Sequence, residues 1–260
     1  MGLKLITDMM GRDVAFNYPP KRIVSVVPSQ TELLADLGLN DEVVGITKFC
    51  IHPESWFRSK ERIGGTKKLD IEKIKALQPD LIIANKEENE QEQIEELAKH
   101  FPVWISDIHN LPQALQMIQV VGQLTGTDGK ANELVDEIVN GFTQLHTATT
   151  AKRVAYFIWY SPWMSVGHDT FISNVIHTIG WKNVLADKSR YPEITLEELK
   201  AYNPELVLLS SEPFPFKEKH IAEVKAALPD AEVKLVDGEM FSWYGSRLKE
   251  AVGYLQQLIK

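Results

Sequence analysis

The chain has 260 residues, of which 44% are hydrophobic and 25% charged, so it can form one large globular domain or two small ones. Its formal net charge of -8 excludes nucleic acid as an expected partner, because phosphate binding requires clusters of lysine and arginine that this sequence lacks. A single cysteine, Cys50, excludes an intrachain disulfide.

Residues 1–27 contain no apolar stretch of signal-peptide length, which indicates a chain that never carried a signal peptide or has lost it. Beyond them, apolar runs of strand length alternate with segments of helical periodicity, the pattern of mostly parallel sheets flanked by helices. Seven strands are predicted, at residues 22–27, 43–47, 81–84, 103–106, 154–159, 206–210 and 233–236. The fold class is therefore α/β.

An internal repeat is the most informative pattern in the sequence. Residues 70–84, DIEKIKALQPDLIIA, align without gaps on residues 195–209, TLEELKAYNPELVLL. Each copy predicts a capping residue, a short helix ended by a proline, and a buried strand. In the second copy Thr195 and Glu198 also predict a capping box. The duplication predicts two similar lobes.

Between the two halves, apolar residues at helical spacing predict one long helix over residues 128–149. The predicted organisation is an N-terminal lobe at residues 1–127, this connecting helix, and a C-terminal lobe at residues 150–260. A helix of about 20 residues is about 30 Å long, so we expect a rigid connection and a ligand cleft that closes only slightly.

Ligands of parallel sheets bind beyond the carboxyl ends of the strands, and the residues there are the candidate ligand-binding residues. In the first half they are Pro28, Ser29, Thr31, Phe49, Cys50, His52, Asn85, Lys86 and Glu87. In the second half they are Trp159, Tyr160, Trp163, Arg190, Tyr191, Phe214, Phe241, Trp243 and Tyr244. Any one ring can instead close the edge of a core. Taken together, the rings favour a large flat or macrocyclic ligand.

Other chemistry finds little support. His52 and His168, with Glu87 or Glu88, could hold a bare metal ion only by converging in space, because no His-x-x-x-His or Cys/His cluster is present. Cys50 and His52 lack a third group to orient them as nucleophile and base. No Walker A, GxGxxG or GxSxG motif occurs. We expect no catalytic residue, no metal ligand and no intrinsic cofactor, and therefore a protein that binds a ligand without transforming it.

Glu72 and Glu197 occupy the same place in the two copies of the repeat. One interpretation is that each is a solvated acid that favours the first turn of its helix by about 0.3–1 kcal/mol. The other is that the two lobes present matched carboxylates to a two-fold symmetric partner with paired arginines. The residues alone leave both interpretations open.

Several segments resemble one family: PPKRIVSVVPSQTELLADLG, KLDIEKIKALQPDLIIANKEEN, the connecting helix and the closing FSWYGSR. Together they resemble the helical-backbone, BtuF-like class of substrate-binding proteins, which serve ABC importers of cobalamin, ferric siderophores and haem. The resemblance implies two lobes joined by one rigid helix and docking on the permease through one acidic residue per lobe. Glu72 and Glu197 fall on those docking positions.

The resemblance leaves several ligands open. Phe49, Tyr191 and Trp243 fit a corrinoid-stacking pattern, whereas Thr66 and Asn85 stand where cobalamin binders have tryptophans. The ligand implied is a corrinoid, or a ferric chelate contacted by Lys86 and Arg190.

The family works as monomers outside the cytoplasmic membrane, which implies a periplasmic or other extracytoplasmic location. Without a signal peptide, a cytosolic carrier or sensor of the same ligand is the alternative, followed by a direct binder of a metal ion and by an enzyme that acts on a chelate.

Overall fold

The protein is described by a computed structural model that covers residues 2–260. Within them the chain forms two compact units. Unit 1 comprises residues 2–108, 112–139 and 244–247, and unit 2 comprises residues 109–111, 140–243 and 248–260. The predicted boundaries at residues 127/128 and 149/150 stay a prediction.

The elements of the first half are short strands alternating with helices. In chain order they are β1 Gly2–Thr7, β2 Asp13–Tyr18, β3 Ile23–Ser25, α1 Pro28–Asp36, β4 Val43–Ile46, α2 Glu54–Ser59, β5 Glu61–Arg62, β6 Gly64–Gly65, β7 Lys68–Leu69, α3 Ile71–Leu77, β8 Leu81–Asn85, α4 Gln91–Ala98, β9 Val103–Ser106, α5 Leu111–Thr125 and α6 Asp128–Gln144.

The main sheet of unit 1 is parallel, with strand order β5-β4-β3-β8-β9. Strands β3 and β8 lie in its centre, and every residue of both is buried. A continuous apolar run on a central parallel strand is expected, because helices cover both faces of such sheets. Two small antiparallel pairs, β1–β2 and β6–β7, complete the strands described for unit 1.

The second half continues in the same style. Its elements are β10 Arg153–Trp159, β11 Met164–Ser165, α7 Phe171–Thr178, β12 Lys182–Asn183, α8 Leu196–Tyr202, β13 Leu206–Ser210, α9 Glu218–Ala227, β14 Glu232–Val236, α10 Glu239–Ser242 and α11 Leu248–Leu258. The sheet of unit 2 has the order β11-β10-β13-β14, with β12 also paired to β10. All of its pairs are parallel except β10–β11. The predicted α/β fold class, with mostly parallel sheets flanked by helices, is confirmed.

The predicted repeat has the same local structure in both copies. Asp70 caps α3 by accepting a hydrogen bond from the backbone of Lys73, and Thr195 caps α8 in a complete capping box with Glu198. The two following strands, β8 and β13, are fully buried. Both helices end two residues before the proline, where Gln78 and Asn203 adopt the left-handed conformation that closes a helix.

The likeness of the two copies extends to the strand beside each repeat. The backbone N–H of Arg22 donates to the carboxylate of Asp80 at 2.9 Å, and the backbone N–H of Arg153 donates to Glu205 at 2.9 Å. Each arginine also donates from Nε to a carbonyl at the end of the repeat helix, at 2.8 Å and 2.9 Å. In both copies one arginine thus joins the strand to an acidic residue and to the end of the repeat helix, which supports an ancestral duplication of the whole α/β unit.

Two features differ from the sequence-based expectations. The antiparallel β1–β2 pair was not expected, although Val14 and Phe16 of β2 alternate as buried residues with exposed neighbours. The helix expected over residues 128–149 is α6, which ends at Gln144. Of the predicted apolar stripe, Ala131, Leu134, Val135 and Ile138 are buried, whereas Phe142 and Leu145 are half-buried.

Candidate functional site

The loop after β3 is built into the core of unit 1. Ser29 and Thr31 lie in the first turns of α1, which begins at Pro28 because proline needs no hydrogen-bonding partner there. Thr31 is fully buried and donates from Oγ1 to the carbonyl of Val27 at 2.9 Å. Ser29 is only 4% exposed, and Pro28 is half-buried. Of the three, only Pro28 offers appreciable surface to a ligand.

The loop after β4 divides into a buried thiol and an exposed ring. Cys50 is fully buried, lies 3.1 Å from the hydroxyl of Thr31 and 3.2 Å from that of Thr47, and its pKa is raised by burial. A thiol held in that state is a poor nucleophile. Cys50 therefore belongs to the core. It does not offer a reactive thiolate to His52, which is half-buried.

Phe49, by contrast, is 51% exposed and is held in place from both sides. The ammonium group of Lys48 lies 5.0 Å from the centroid of its ring. Gly65 of β6 lies beneath the ring, where an added Cβ would stand only 3.0 Å from the ring edge. An exposed ring whose position is fixed in this way is suited to stacking on a flat ligand.

Asn85 fixes the loop at the ends of β8 and β9. Its buried side chain donates to Ser106 and accepts hydrogen bonds from the backbone N–H groups of Glu87 and Glu88 at 2.9 Å and 3.0 Å. The side chain of Asn85 therefore shapes the loop rather than facing a ligand. Glu87 is half-buried, and Lys86 is exposed and forms an ion pair with Asp107 at 2.7 Å, so this edge of unit 1 is polar and charged.

In unit 2, most of the predicted rings pack on one another. Tyr160 lies edge-on to Trp163 with centroids 5.1 Å apart and contacts Phe214 at 5.5 Å. Trp163 in turn stacks on Phe216 at 5.6 Å, which joins these rings to the core of the unit. Trp159 is the most exposed of the group, at 40% of its surface. The core-edge interpretation thus fits the half-buried rings, and Trp159 keeps a surface for a ligand.

The closing motif FSWYGSR is largely buried. Phe241 is fully buried against Tyr156, with centroids 5.0 Å apart. Trp243 is 7% exposed and donates from its indole nitrogen to the carboxylate of Glu212 at 2.9 Å. Tyr244, which belongs to unit 1, is 6% exposed. Phe241 and Trp243, two of the candidate ligand-binding residues, thus expose little surface in this structure, and their contact with a ligand stays a prediction.

Arg190 and Tyr191 form a polar and aromatic corner of unit 2. Arg190 is exposed, with its guanidinium 5.7 Å from the centroid of the Tyr191 ring and its backbone N–H donating to Asp169 at 2.5 Å. His168 and Asp169 line a neighbouring pocket of about 620 Å³. The Nδ1 atom of His168 lies 2.6 Å from the carbonyl oxygen of Lys188 and must donate to it. The pocket is thus lined by polar groups already tied to the backbone.

Sequence reasoning missed a contact between two of the quoted motifs. Arg247 of FSWYGSR binds Glu32 of the loop PSQTELL inside unit 1. The usable signal was an acidic residue, Glu32, beside the apolar residues Leu33 and Leu34, because a charge placed close to a core requires a partner of opposite charge.

Glu72 and Glu197 are at the second position of α3 and α8, respectively. Their side chains are 86% and 80% exposed. Each pairs with the lysine three residues later, Lys75 or Lys200. Exposed pairs of this kind contribute little to stability, about 0–1 kcal/mol. The two carboxylates are therefore equivalent, accessible groups on their own units.

Within residues 2–260, no group of three or more His, Cys, Asp or Glu side chains is arranged to hold a metal ion. Among the same residues, no helix has the length and apolar character needed to cross a membrane.

The comparison with known proteins agrees with this architecture. The chain matches the sequence model of the periplasmic binding proteins over residues 23–231 and belongs to the periplasmic binding protein family. The family resemblance stated from the motifs is confirmed at that level. The family consists of binding proteins, which agrees with a site that holds a ligand.

Two relatives and one solved structure indicate where in the family the chain lies. An uncharacterized ABC transporter substrate-binding lipoprotein of Bacillus subtilis (strain 168), YvrC, is 27% identical over 271 residues, covering 98% of this chain and 84% of the relative. A vitamin B12-binding protein of Yersinia pestis (strain Pestoides F) is 26% identical over 195 residues, covering 73% of this chain and 69% of the relative. The petrobactin-binding protein YclQ of Bacillus subtilis superposes with a TM-score of 0.83 at 16% identity, covering 100% of this chain and 99% of that protein. At that identity, the superposition supports the fold alone.

Proposed function

We propose that this protein is the receptor of an ABC importer, that it binds a corrinoid or another metal chelate, and that it docks on the permease through Glu72 and Glu197. The observation that carries the proposal is the equivalence of these two carboxylates. Both are at the second position of a duplicated helix, both are at least 80% exposed, and both pair with a lysine three residues on. A two-fold symmetric permease would require two such matching groups.

The ligand class is supported by the side chains that keep exposed surface at the strand ends. Phe49 and Trp159 are 51% and 40% exposed, and a large flat ligand could stack on such rings. Lys86 and Arg190 are exposed charged groups that can bind amide or carboxylate side arms of a chelate. A relative named for vitamin B12 binding is 26% identical over 73% of this chain, which supports a chelate rather than a sugar.

Ligand binding is tested by titrating the protein with cyanocobalamin, cobinamide, haem and ferric siderophores while following tryptophan fluorescence. We expect one class to quench the emission with saturation, and Phe49→Ala to weaken its binding by about tenfold through loss of a stacking face. The matched control is Phe57→Ala, which removes a ring of the same unit that contacts Arg62 instead. No response to any of the four classes would refute the ligand assignment.

Docking is tested by charge reversal of both carboxylates. Glu72→Arg/Glu197→Arg is expected to abolish binding to the permease in lipid nanodiscs while ligand affinity stays unchanged. Glu92→Arg/Glu218→Arg is the control, because those glutamates also lie in the first turn of a helix, one in each unit. A ligand-binding protein whose wild-type form does not bind the permease would be a carrier or sensor instead.

A further inference from the structure

A pocket of about 640 Å³ opens beside α8 in unit 2, and two of the predicted ligand-binding rings, Tyr160 and Trp163, line it together with three glutamates. We name it the α8 pocket. Its walls include two rings and three carboxylates, contributed by Tyr160, Trp163, Glu193, Glu198 and Glu223. All of its residues belong to unit 2.

The rings of the α8 pocket are fixed in position. The ring planes of Tyr160 and Trp163 make an angle of 85°, and the ring centroids are 5.1 Å apart. Trp163 is held from behind by Phe157 at 4.9 Å and by Phe216 at 5.6 Å. Two rigid half-buried rings at right angles present π faces that attract a cation.

The charge of the pocket has one sign. None of the ten described residues that line it is a lysine or an arginine, and three of them are glutamates. Glu198 is engaged by the capping box with Thr195, and Glu223 accepts a hydrogen bond from the Tyr160 hydroxyl. The negative charge of Glu223 raises the pKa of Tyr160, which agrees with a site that disfavours further anions. Rings together with carboxylates are the chemistry that binds an organic cation.

The α8 pocket adjoins the proposed docking carboxylate. Leu196 and Glu198, which flank Glu197 in the sequence, both line the pocket. The Glu197 side chain itself is 80% exposed. A partner that binds Glu197 with one basic residue is therefore close to residues that line the pocket, and a second basic side chain of the same partner is the occupant that this adjacency favours.

The duplicated unit shows that the acidic pocket does not follow from the shared fold. Extending the alignment of residues 70–84 on 195–209 by two positions places Lys68 opposite Glu193, and the alignment itself places Lys73 opposite Glu198. The first copy thus has two basic residues where the second has two acidic ones. At these two positions the charge differs between the copies although both helices begin with a side-chain cap.

We propose that the α8 pocket receives an arginine side chain of the permease next to the basic residue that pairs with Glu197. This inference rests on the proposed docking function and adds to it a second contact that only unit 2 makes. Arginine fits better than lysine, because a planar guanidinium can stack on Trp163 or Tyr160 while it donates two hydrogen bonds to one carboxylate.

The test measures binding of the ligand-free protein to its permease in lipid nanodiscs. Glu193→Gln/Glu223→Gln, which keeps the side-chain shapes, is expected to raise Kd by about tenfold and to reduce its salt dependence, since two charge-assisted contacts are lost. Glu218→Gln, a first-turn residue of α9 outside the pocket, is the control and should bind as the wild type. Circular dichroism verifies that the variants are folded.

The outcomes separate the two proposals. If Glu72→Arg/Glu197→Arg abolishes binding while the double glutamine variant keeps the wild-type Kd and salt dependence, the pocket inference is overturned and the docking proposal stands. If the charge-reversal variant binds as the wild type, the docking proposal fails and the pocket inference fails with it. A replacement of the permease arginine by lysine that matches the loss in the double variant would support the pocket.

Discussion

Arg247 and Glu32 are 215 positions apart in the sequence and form a two-point ion pair inside unit 1. Nε donates to Oε2 at 3.1 Å and Nη2 donates to Oε1 at 2.5 Å, with side-chain exposures of 9% and 15%. Since water is largely excluded, each group depends on the other for compensation of its charge. The pair joins two of the four segments that carry the family resemblance, PPKRIVSVVPSQTELLADLG and FSWYGSR. The structure thus gives a physical reason for these two segments to occur together.

Replacing one residue of this ion pair should lower the free energy of unfolding more than replacing both residues. Arg247→Met leaves a buried carboxylate without its guanidinium and should lower the free energy of unfolding by about 3 kcal/mol. Glu32→Leu/Arg247→Met removes both charges and should lower it by less than Arg247→Met alone. Urea unfolding of the full chain measures both values. If the double variant loses as much stability as Arg247→Met, or more, the ion pair is exposed to water in solution.

Glu212 is a largely buried carboxylate of unit 2 that holds two other side chains. Its Oε1 atom accepts hydrogen bonds from the Ser242 hydroxyl at 2.6 Å and from the Trp243 indole at 2.9 Å. Burial raises the pKa of Glu212 above its usual value of 4.5. The native protein therefore binds a proton at this site at pH values where the unfolded chain has released it.

The sign of the resulting pH dependence follows from proton linkage. Because the pKa of Glu212 is raised in the native state, its contribution is present below the unfolded pKa and is lost as pH rises through the native pKa. Glu212→Gln can keep both hydrogen bonds at Oε1 and has no proton to lose. We expect the variant to gain stability relative to wild type between pH 4 and pH 8, measured by thermal unfolding across that range. A constant difference between the two proteins would contradict the raised pKa.

Cys50 should be unreactive until the protein unfolds. It is fully buried, and burial raises the pKa of its thiol, so both access and thiolate are lacking. Iodoacetamide at pH 8 should label the native protein at least about a hundredfold more slowly than the same protein in urea, in line with the dependence of alkylation on exposed thiolate. Rapid labelling of the native protein would place the thiol at the surface.

The sequence predicted those parts of the fold whose cause is local. The strands β8 and β13 follow from short apolar runs, and the caps at Asp70 and Thr195 follow from side chains that reach the backbone three residues away. The β1–β2 pair was missed because only β2 alternates buried and exposed residues, whereas β1 contains no buried residue. A strand that buries no side chain has a weak hydrophobic pattern in the sequence.

The exposure of the candidate rings could not be predicted from the sequence, because it is decided by neighbours that are distant in the sequence. Phe241 and Phe49 both follow a predicted strand, yet one is fully buried against Tyr156 and the other is 51% exposed above Gly65. Likewise Trp243 was expected at a ligand, whereas Glu212, 31 residues earlier, holds its indole inside unit 2. Residue type identified the strand ends, and packing selected which rings remain accessible.

The two copies of the repeat allow one capping interaction to be compared in two settings. Thr195 accepts from the backbone of Glu198, and the Glu198 carboxylate accepts in return from the backbone N–H and hydroxyl of Thr195. Asp70 makes only the forward bond, to Lys73 at 3.1 Å. We expect Thr195→Ala to cost about 1–2 kcal/mol and Asp70→Ala to cost about half as much, since the first removes both hydrogen bonds of the Thr195 hydroxyl and the second removes a single cap.

A pH series distinguishes this account from a general loss of helix stability. The hydrogen bonds from Thr195 lower the pKa of Glu198, so the stability they contribute is present above the unfolded pKa and is lost as pH falls through the native pKa. Glu198→Ala, which removes the carboxylate that accepts these bonds, should therefore approach wild-type stability in acid, whereas Ala201→Gly, a helix-interior change in α8, should cost about 1 kcal/mol at every pH. If both variants behave alike at acidic and neutral pH, the reciprocal bond contributes nothing, and the second copy of the repeat is capped no better than the first.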